Sequence, residues 1–248
     1  MKSVLPVHRD DVRDDRLLRL PSEGFVFVVT YGRSGSTVLQ NLLNSIPGYC
    51  VRGENGNAIY QLCRLVHDLK HHEYITMHRE QAMGKGRFVG NLGQSTDPWY
   101  GAENIDIDRF AKALFNVFCN EILAMPPQTR VGGFKEIRYI HDLAFLPTQL
   151  EIMQSYFSNA KIIFLTRDHA KVASSSWWQN EDRATLLDQL NWADQVFKDY
   201  AESHADCFRL DYSSYANGPG ALVPLFEFLE ETMDWQVVAD ILANKLTH

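Results

Sequence analysis

Apolar residues in this chain fall into short continuous runs, separated by longer stretches where they recur every three or four positions. Phe25-Val26-Phe27-Val28-Val29-Thr30 is aromatic or β-branched throughout, the pattern of a strand buried on both faces. A second such run spans 161–167 around Ile162-Ile163-Phe164-Leu165, and shorter strands are predicted over 131–134 and 207–212. Helical spacing marks 37–45 (Val38, Leu42, Leu43), stopped by Pro47-Gly48, and 57–72 (Ile59, Leu62, Cys63, Val66, Leu69). Asp106 is placed to cap an amphipathic helix carrying Ile107, Phe110, Leu114, Phe115, Phe118 and Ile122, which Pro126-Pro127 ends. Further helices are predicted over 148–157, 169–178, 184–203, 219–231 and 235–245. The stretch 79–104, rich in Gly, Asn and Asp, reads as a long loop, a lid or a binding surface.

Strands that alternate with helices imply an α/β fold with a central parallel sheet and helices on both faces. Ligands then bind at the carboxyl ends of the strands. Residues 1–22 form a polar lead-in ending near Pro21, and 23–248 read as a single domain. At 248 residues the chain is long enough to bury roughly three-quarters of its extended surface in that domain.

Charge narrows the partners. With 31 acidic against 24 basic residues, a net −7, a broad nucleic-acid-binding face is not expected. A small anionic ligand is still allowed, since a few local cations and backbone N–H groups hold one. Cys50, Cys63, Cys119 and Cys207 form no C-x-x-C pair, so they read as reduced thiols rather than zinc ligands. The charged N-terminus has no apolar core and no run is long enough to span a bilayer. The expected compartment is the cytosol.

The turn after the first strand, Tyr31-Gly32-Arg33-Ser34-Gly35-Ser36, opens a helix. Such a loop presents free backbone N–H groups and the positive end of a helix dipole, an anion cradle. Ser34, Ser36 and Thr37 add hydroxyls, and Gly35 permits close approach. The nucleotide-hydrolase loop G-x-x-x-x-G-K-[ST] is not matched. Thr30 stands at its first glycine and Ser36 at its lysine, so Arg33 supplies the cation instead.

Arg33-Ser34-Gly35-Ser36-Thr37 resembles the phosphosulfate loop of the sulfotransferase superfamily, whose fold is P-loop-like. The resemblance implies that these five residues bind the 5′ end of 3′-phosphoadenosine 5′-phosphosulfate. The superfamily also carries an arginine at a later strand end and a serine eight residues on, which hold the donor's 3′-phosphate. Here these are Arg167 and Ser175, and a guanidinium fork with a nearby hydroxyl suits phosphate. Two anion sites at two strand ends are more telling than either alone.

Sulfuryl transfer needs a base for the acceptor proton and cations for charge on the leaving oxygen, with no metal required in principle. Arg33 is expected at the leaving group. No histidine matches the base of the cytosolic branch, whereas Glu54 in Arg52-Gly53-Glu54-Asn55 resembles the glutamate base of branches acting on protein tyrosines and glycans. Lys135, in Gly132-Gly133-Phe134-Lys135-Glu136-Ile137-Arg138, resembles a lysine beside the sulfuryl group, with Glu136 as alternative base and Arg138 free to hold either ligand. The implied acceptor is a hydroxyl on a saccharide or glycolipid. His67 and His71 have metal-compatible spacing but read as a solvated helix face, and of Trp177 and Trp178 one is expected to pack in the core. The resemblance runs over about 25–229, and the basic glycine loop that many members fold over the nucleotide is not evident, with Lys245 and His248 as candidates to serve there. The rival readings are a kinase or nucleotide hydrolase of related architecture and a non-catalytic nucleotide binder.

Overall fold

The computed structural model describes residues 21–244. Strands β1 (Gly24–Val29), β2 (Tyr49–Arg52), β3 (Val131–Glu136), β4 (Ala160–Thr166) and β5 (Cys207–Asp211) form one sheet in the order β2-β3-β1-β4-β5, every pair parallel. The helices are α1 (Ser36–Asn44), α2 (Ala58–His71), α3 (Glu73–Ala82), α4 (Ile107–Val117), α5 (Leu146–Tyr156), α6 (His169–Ala173), α7 (Arg183–Ser203), α8 (Ser213–Ala216), α9 (Val223–Leu229) and α10 (Trp235–Ala243).

Every residue of β1 is buried because the strand feeds two cores. Phe25, Phe27 and Val29 join Phe134, Ile162 and Phe164 under α2, α4, α5 and α7. Val26 and Val28 join Ile163 and Leu165 under α1, α9 and α10. This is why the central strands are continuously apolar rather than alternating. Neighbouring β3 reaches β1 only as glycine at position 133, where a Cβ would lie 1.8 Å from the Val26 carbonyl oxygen.

The predicted elements are found within a few residues, with the short α8 as an addition and three further differences. Strand β2 has only four residues at the sheet edge and was not expected from its pattern. Its free edge is held by Asn44, whose side chain accepts from Val51 N at 2.7 Å and donates to Val51 O at 2.9 Å. Helix α3 occupies part of the segment read as loop. Its apolar periodicity is weak, and only Ile75 and His78 are buried. The helix predicted over 169–178 breaks after Ala173 and resumes as a 3-10 turn over Ser176–Asn180.

Candidate active site

The loop after β1 is shaped by left-handed backbone at Arg33 (φ 65°) and Gly35 (φ 89°). Position 35 admits only glycine, because a Cβ would sit 2.3 Å from the Tyr212 ring. No side chain caps α1, whose first turn therefore keeps its positive end open toward the loop. Ser34 is fully buried and its Oγ has no hydrogen-bond partner, which is costly unless a ligand completes it.

The second predicted anion site lies beside the first. Thr30 Oγ1 donates to Leu165 O at 2.6 Å, tying the ends of β1 and β4 together. Tyr31 Oη accepts from Arg167 N at 2.9 Å, and burial beside Asp194 keeps that hydroxyl protonated far above the physiological range. The Arg167 guanidinium lies 4.2 Å from the centre of the Tyr212 ring, and its Nη1 donates to Arg33 O at 2.7 Å. Its Nε is buried without a partner. Asp168 does not pair with it but caps α6 by accepting from Lys171 N at 2.9 Å. Ser175 Oγ accepts from Arg33 Nε at 3.2 Å, and Trp178 Nε1 donates to Gly32 O at 3.2 Å. The two loops thus brace one another, and Trp178 is partly buried against the core. The Trp177 side chain lies outside the described residues.

Across the cavity stands a carboxylate cluster at the end of β3. Glu54 Oε1 accepts from Lys135 Nζ at 2.6 Å, and Oε2 accepts from Arg138 Nη1 at 3.1 Å. The Glu54 side chain is 30% exposed and Lys135 only 10%. Glu136 is fully buried. One of its oxygens accepts from the amides of Asn55 and Asn57, the other from the amides of Ile137 and Arg138 and from Arg138 Nη1. Arg52 does not neutralise Glu54; it donates to Leu123 O and Ala124 O, at 2.8 and 2.7 Å, beyond the end of α4.

Arg33, Gly35, Ser36, Thr37, Arg167, Glu54 and Lys135 line one cavity of about 490 Å³. Ser34 is buried within the same loop, and Ser175 is joined to the cavity wall through Arg33. Seven of nine predicted residues thus share one wall-to-wall space at the carboxyl ends of β1, β3 and β4. Tyr212 and Tyr215, which follow β5, also line it and were not singled out from the sequence, although their place after a strand end was the available signal. So do Leu242 and Asn244 at the end of α10. Lys245 and His248 lie outside the described residues. A second cavity of about 480 Å³ sits at the amino ends of the strands. Its cations Arg130 and Lys161 are bound in ion pairs to Glu23, Glu231 and Glu230.

His67 and His71 stack on each other at 4.3 Å, with His67 also edge-on to Phe145. Among the described residues no group of three or more His, Cys, Asp or Glu side chains is arranged to hold a metal ion. Among the same residues, no helix is long and apolar enough to cross a membrane.

Residues 26–223 match the sequence profile of the Sulfotransferase family. No curated protein matches the chain. The sulfotransferase domain of the Synechococcus PCC 7002 olefin synthase superposes with a TM-score of 0.52 at 17% identity, over 89% of this chain and 78% of that one. A sulfotransferase from Alicyclobacillus acidocaldarius gives 0.46 at 15% identity, over 90% and 85%. The first likeness extends to the parallel sheet and its flanking helices, and the profile spans most of the chain, from within β1 to the start of α9. The chain belongs to the sulfotransferase family.

Proposed function

We propose that the protein moves a sulfuryl group from 3′-phosphoadenosine 5′-phosphosulfate to an acceptor hydroxyl, with Glu54 as the base. The observation that carries this reading is the convergence of two cationic, amide-rich strand ends on one cavity whose far wall holds a carboxylate. The unpartnered Ser34 Oγ and Arg167 Nε lie in the two anion loops, as expected where a ligand's phosphates complete the polar shell.

In this reading the amides and hydroxyls of Ser34, Gly35, Ser36 and Thr37 hold the 5′-phosphate, and Arg167 with Ser175 holds the 3′-phosphate. Glu54 removes the acceptor's proton while the acceptor oxygen bonds to sulfur. The bond from sulfur to the 5′-phosphate oxygen breaks as that bond forms, and adenosine 3′,5′-bisphosphate departs. Arg33 steadies charge on the leaving oxygen, and Lys135, 2.6 Å from Glu54, lies where the sulfuryl oxygens pass. Glu136 is unsuited as base, because both its oxygens are occupied by five donors inside the protein. A saccharide or glycolipid acceptor fits the glutamate-type base and the polar segment before α4. We assign residues 23–248 to this one catalytic domain, working in the cytosol.

Thermal shift distinguishes the ligand class cheaply, since a ligand that binds only the folded state raises the melting point. Adenosine 3′,5′-bisphosphate should stabilise the protein more than ADP does. Labelled donor should then transfer sulfate to at least one member of a broad hydroxyl panel. Equal stabilisation by both nucleotides, with no transfer, overturns the reading.

A further inference from the structure

Glu136 is fully buried and takes no part in the cavity wall, yet five donors converge on it. Burying a carboxylate is costly unless every lone pair is used, and here the donors come from two segments, the end of β3 and the turn that follows β2. The amides of Ile137 and Arg138 belong to its own strand end. Those of Asn55 and Asn57, at 3.2 and 2.9 Å, belong to the turn that carries Glu54. Asn57 has left-handed backbone, φ 60°, and Gly56 beside it has φ 69°. These two amides therefore point inward to one oxygen, while Glu54 on the same turn points into the cavity. Arg138 closes the arrangement: its Nη1 is shared between Glu136 Oε1 at 3.0 Å and Glu54 Oε2 at 3.1 Å.

We infer that Glu136 is a positioning residue for Glu54, acting through the 55–57 amides and through Arg138. The inference rests on the reading of Glu54 as base. Glu136 touches neither the cavity nor a reacting atom. What it sets is the location of the Glu54 turn and the direction of the one guanidinium that holds Oε2, leaving Oε1 on the Lys135 side. A neutral amide at position 136 cannot serve five donors, since one of its own heteroatoms is itself a donor. The turn then shifts, and a displacement of about 1 Å at a reacting group costs on the order of 100-fold in rate.

The test is a double-variant cycle on transfer from labelled donor, with the fastest acceptor of a panel of phenols, sterols and sugars, and with water as a further acceptor. Glu136→Gln should lower kcat about 100-fold. The donor KM and the calorimetric Kd for adenosine 3′,5′-bisphosphate should stay within about twofold, because the anion loops are not touched. The doubly substituted Glu54→Gln/Glu136→Gln enzyme should be no slower than Glu54→Gln alone, since a group that acts through Glu54 has nothing left to position. Arg138→Lys should keep more activity than Arg138→Met, and this pair carries the test if Glu136→Gln fails to fold, because Arg138 is at the surface. Further slowing of the double variant by the full single-variant factor overturns the inference and makes Glu136 an independent structural group. Wild-type kcat in Glu136→Gln and Arg138→Met, with Glu54→Gln inactive, overturns this inference alone. Undiminished transfer by Glu54→Gln instead removes the base assignment on which it rests.

Discussion

Replacing Arg167 by alanine separates two roles that the same side chain plays. Within the protein the guanidinium makes one hydrogen bond to Arg33 O and lies over the Tyr212 ring. Those contacts contribute about 1 kcal/mol for the bond and about 0.5–1 kcal/mol for the ring. Their loss should lower the melting point by roughly 3–6 °C in a chain of this size. Toward ligand, the orphaned Nε and the remaining guanidinium protons supply charge-assisted bonds to the 3′-phosphate, together about 3 kcal/mol or roughly 150-fold in Kd. Calorimetry with two ligands isolates the second effect. Arg167→Ala should weaken adenosine 3′,5′-bisphosphate on the order of 100-fold while leaving adenosine 5′-monophosphate within about threefold, because only the first ligand carries a phosphate for Arg167 to hold. Equal weakening of both ligands would mean that Arg167 merely supports the β1 loop. No weakening of either would refute its placement at the 3′-phosphate.

Three further outcomes follow from the geometry. Gly35→Ala combines positive φ with a Cβ 2.3 Å from the Tyr212 ring; it should cost about 1–3 kcal/mol of stability and abolish bisphosphate binding, and a denaturation midpoint and Kd equal to wild type would contradict this. Glu54→Gln should lower kcat by about 100- to 10,000-fold with the bisphosphate Kd unchanged, read by single-turnover transfer; a matching loss of binding would point to a structural role instead. The buried His78–Asp97 pair, at 2.9 Å, pins the segment after α3, and His78 Nδ1 also bonds Tyr74 O at 2.7 Å. The bond to Asp97 raises the His78 pKa despite burial, so its stabilisation is complete below the ordinary histidine value of 6.5 and is lost as pH rises through the higher folded value. Asp97, lowered by its bonds to Trp99 N and His78, loses its share only as pH falls below the ordinary 3.8. Cleavage of residues 84–101 by a protease active across the range should therefore speed up as pH rises above 6.5 in the wild type and not in Asp97→Asn; identical pH responses would exclude the pair as the pin.

The central strands were legible because burial on both faces leaves no polar position to interrupt them, as in β1 and β4. The turn from Arg33 to Gly35 into α1 was legible because glycine and small hydroxyl-bearing residues between a buried strand and an apolar helical period mark a tight strand–helix turn. Strand β2 was not, since four residues at a sheet edge carry no period of their own and are held by a side chain of α1. Helix α3 was hidden for a related reason: a His–Asp pair buries one of its two inward positions, and polar residues do not register as an apolar stripe.

The sequence by itself determined the α/β architecture and the family, because each is written in local pattern and in spacing along strand–turn–helix units. It left Glu54 and Glu136 as alternative bases, since two carboxylates of the same chemistry, 82 positions apart in the chain, differ only in what surrounds them. Tertiary structure decided between their environments. The β3 end and the 54–57 turn come together so that one carboxylate is enclosed by five donors while the other faces the cavity between Lys135 and Arg138. Donor direction and burial are properties of the assembled sheet, and no residue pattern encodes them.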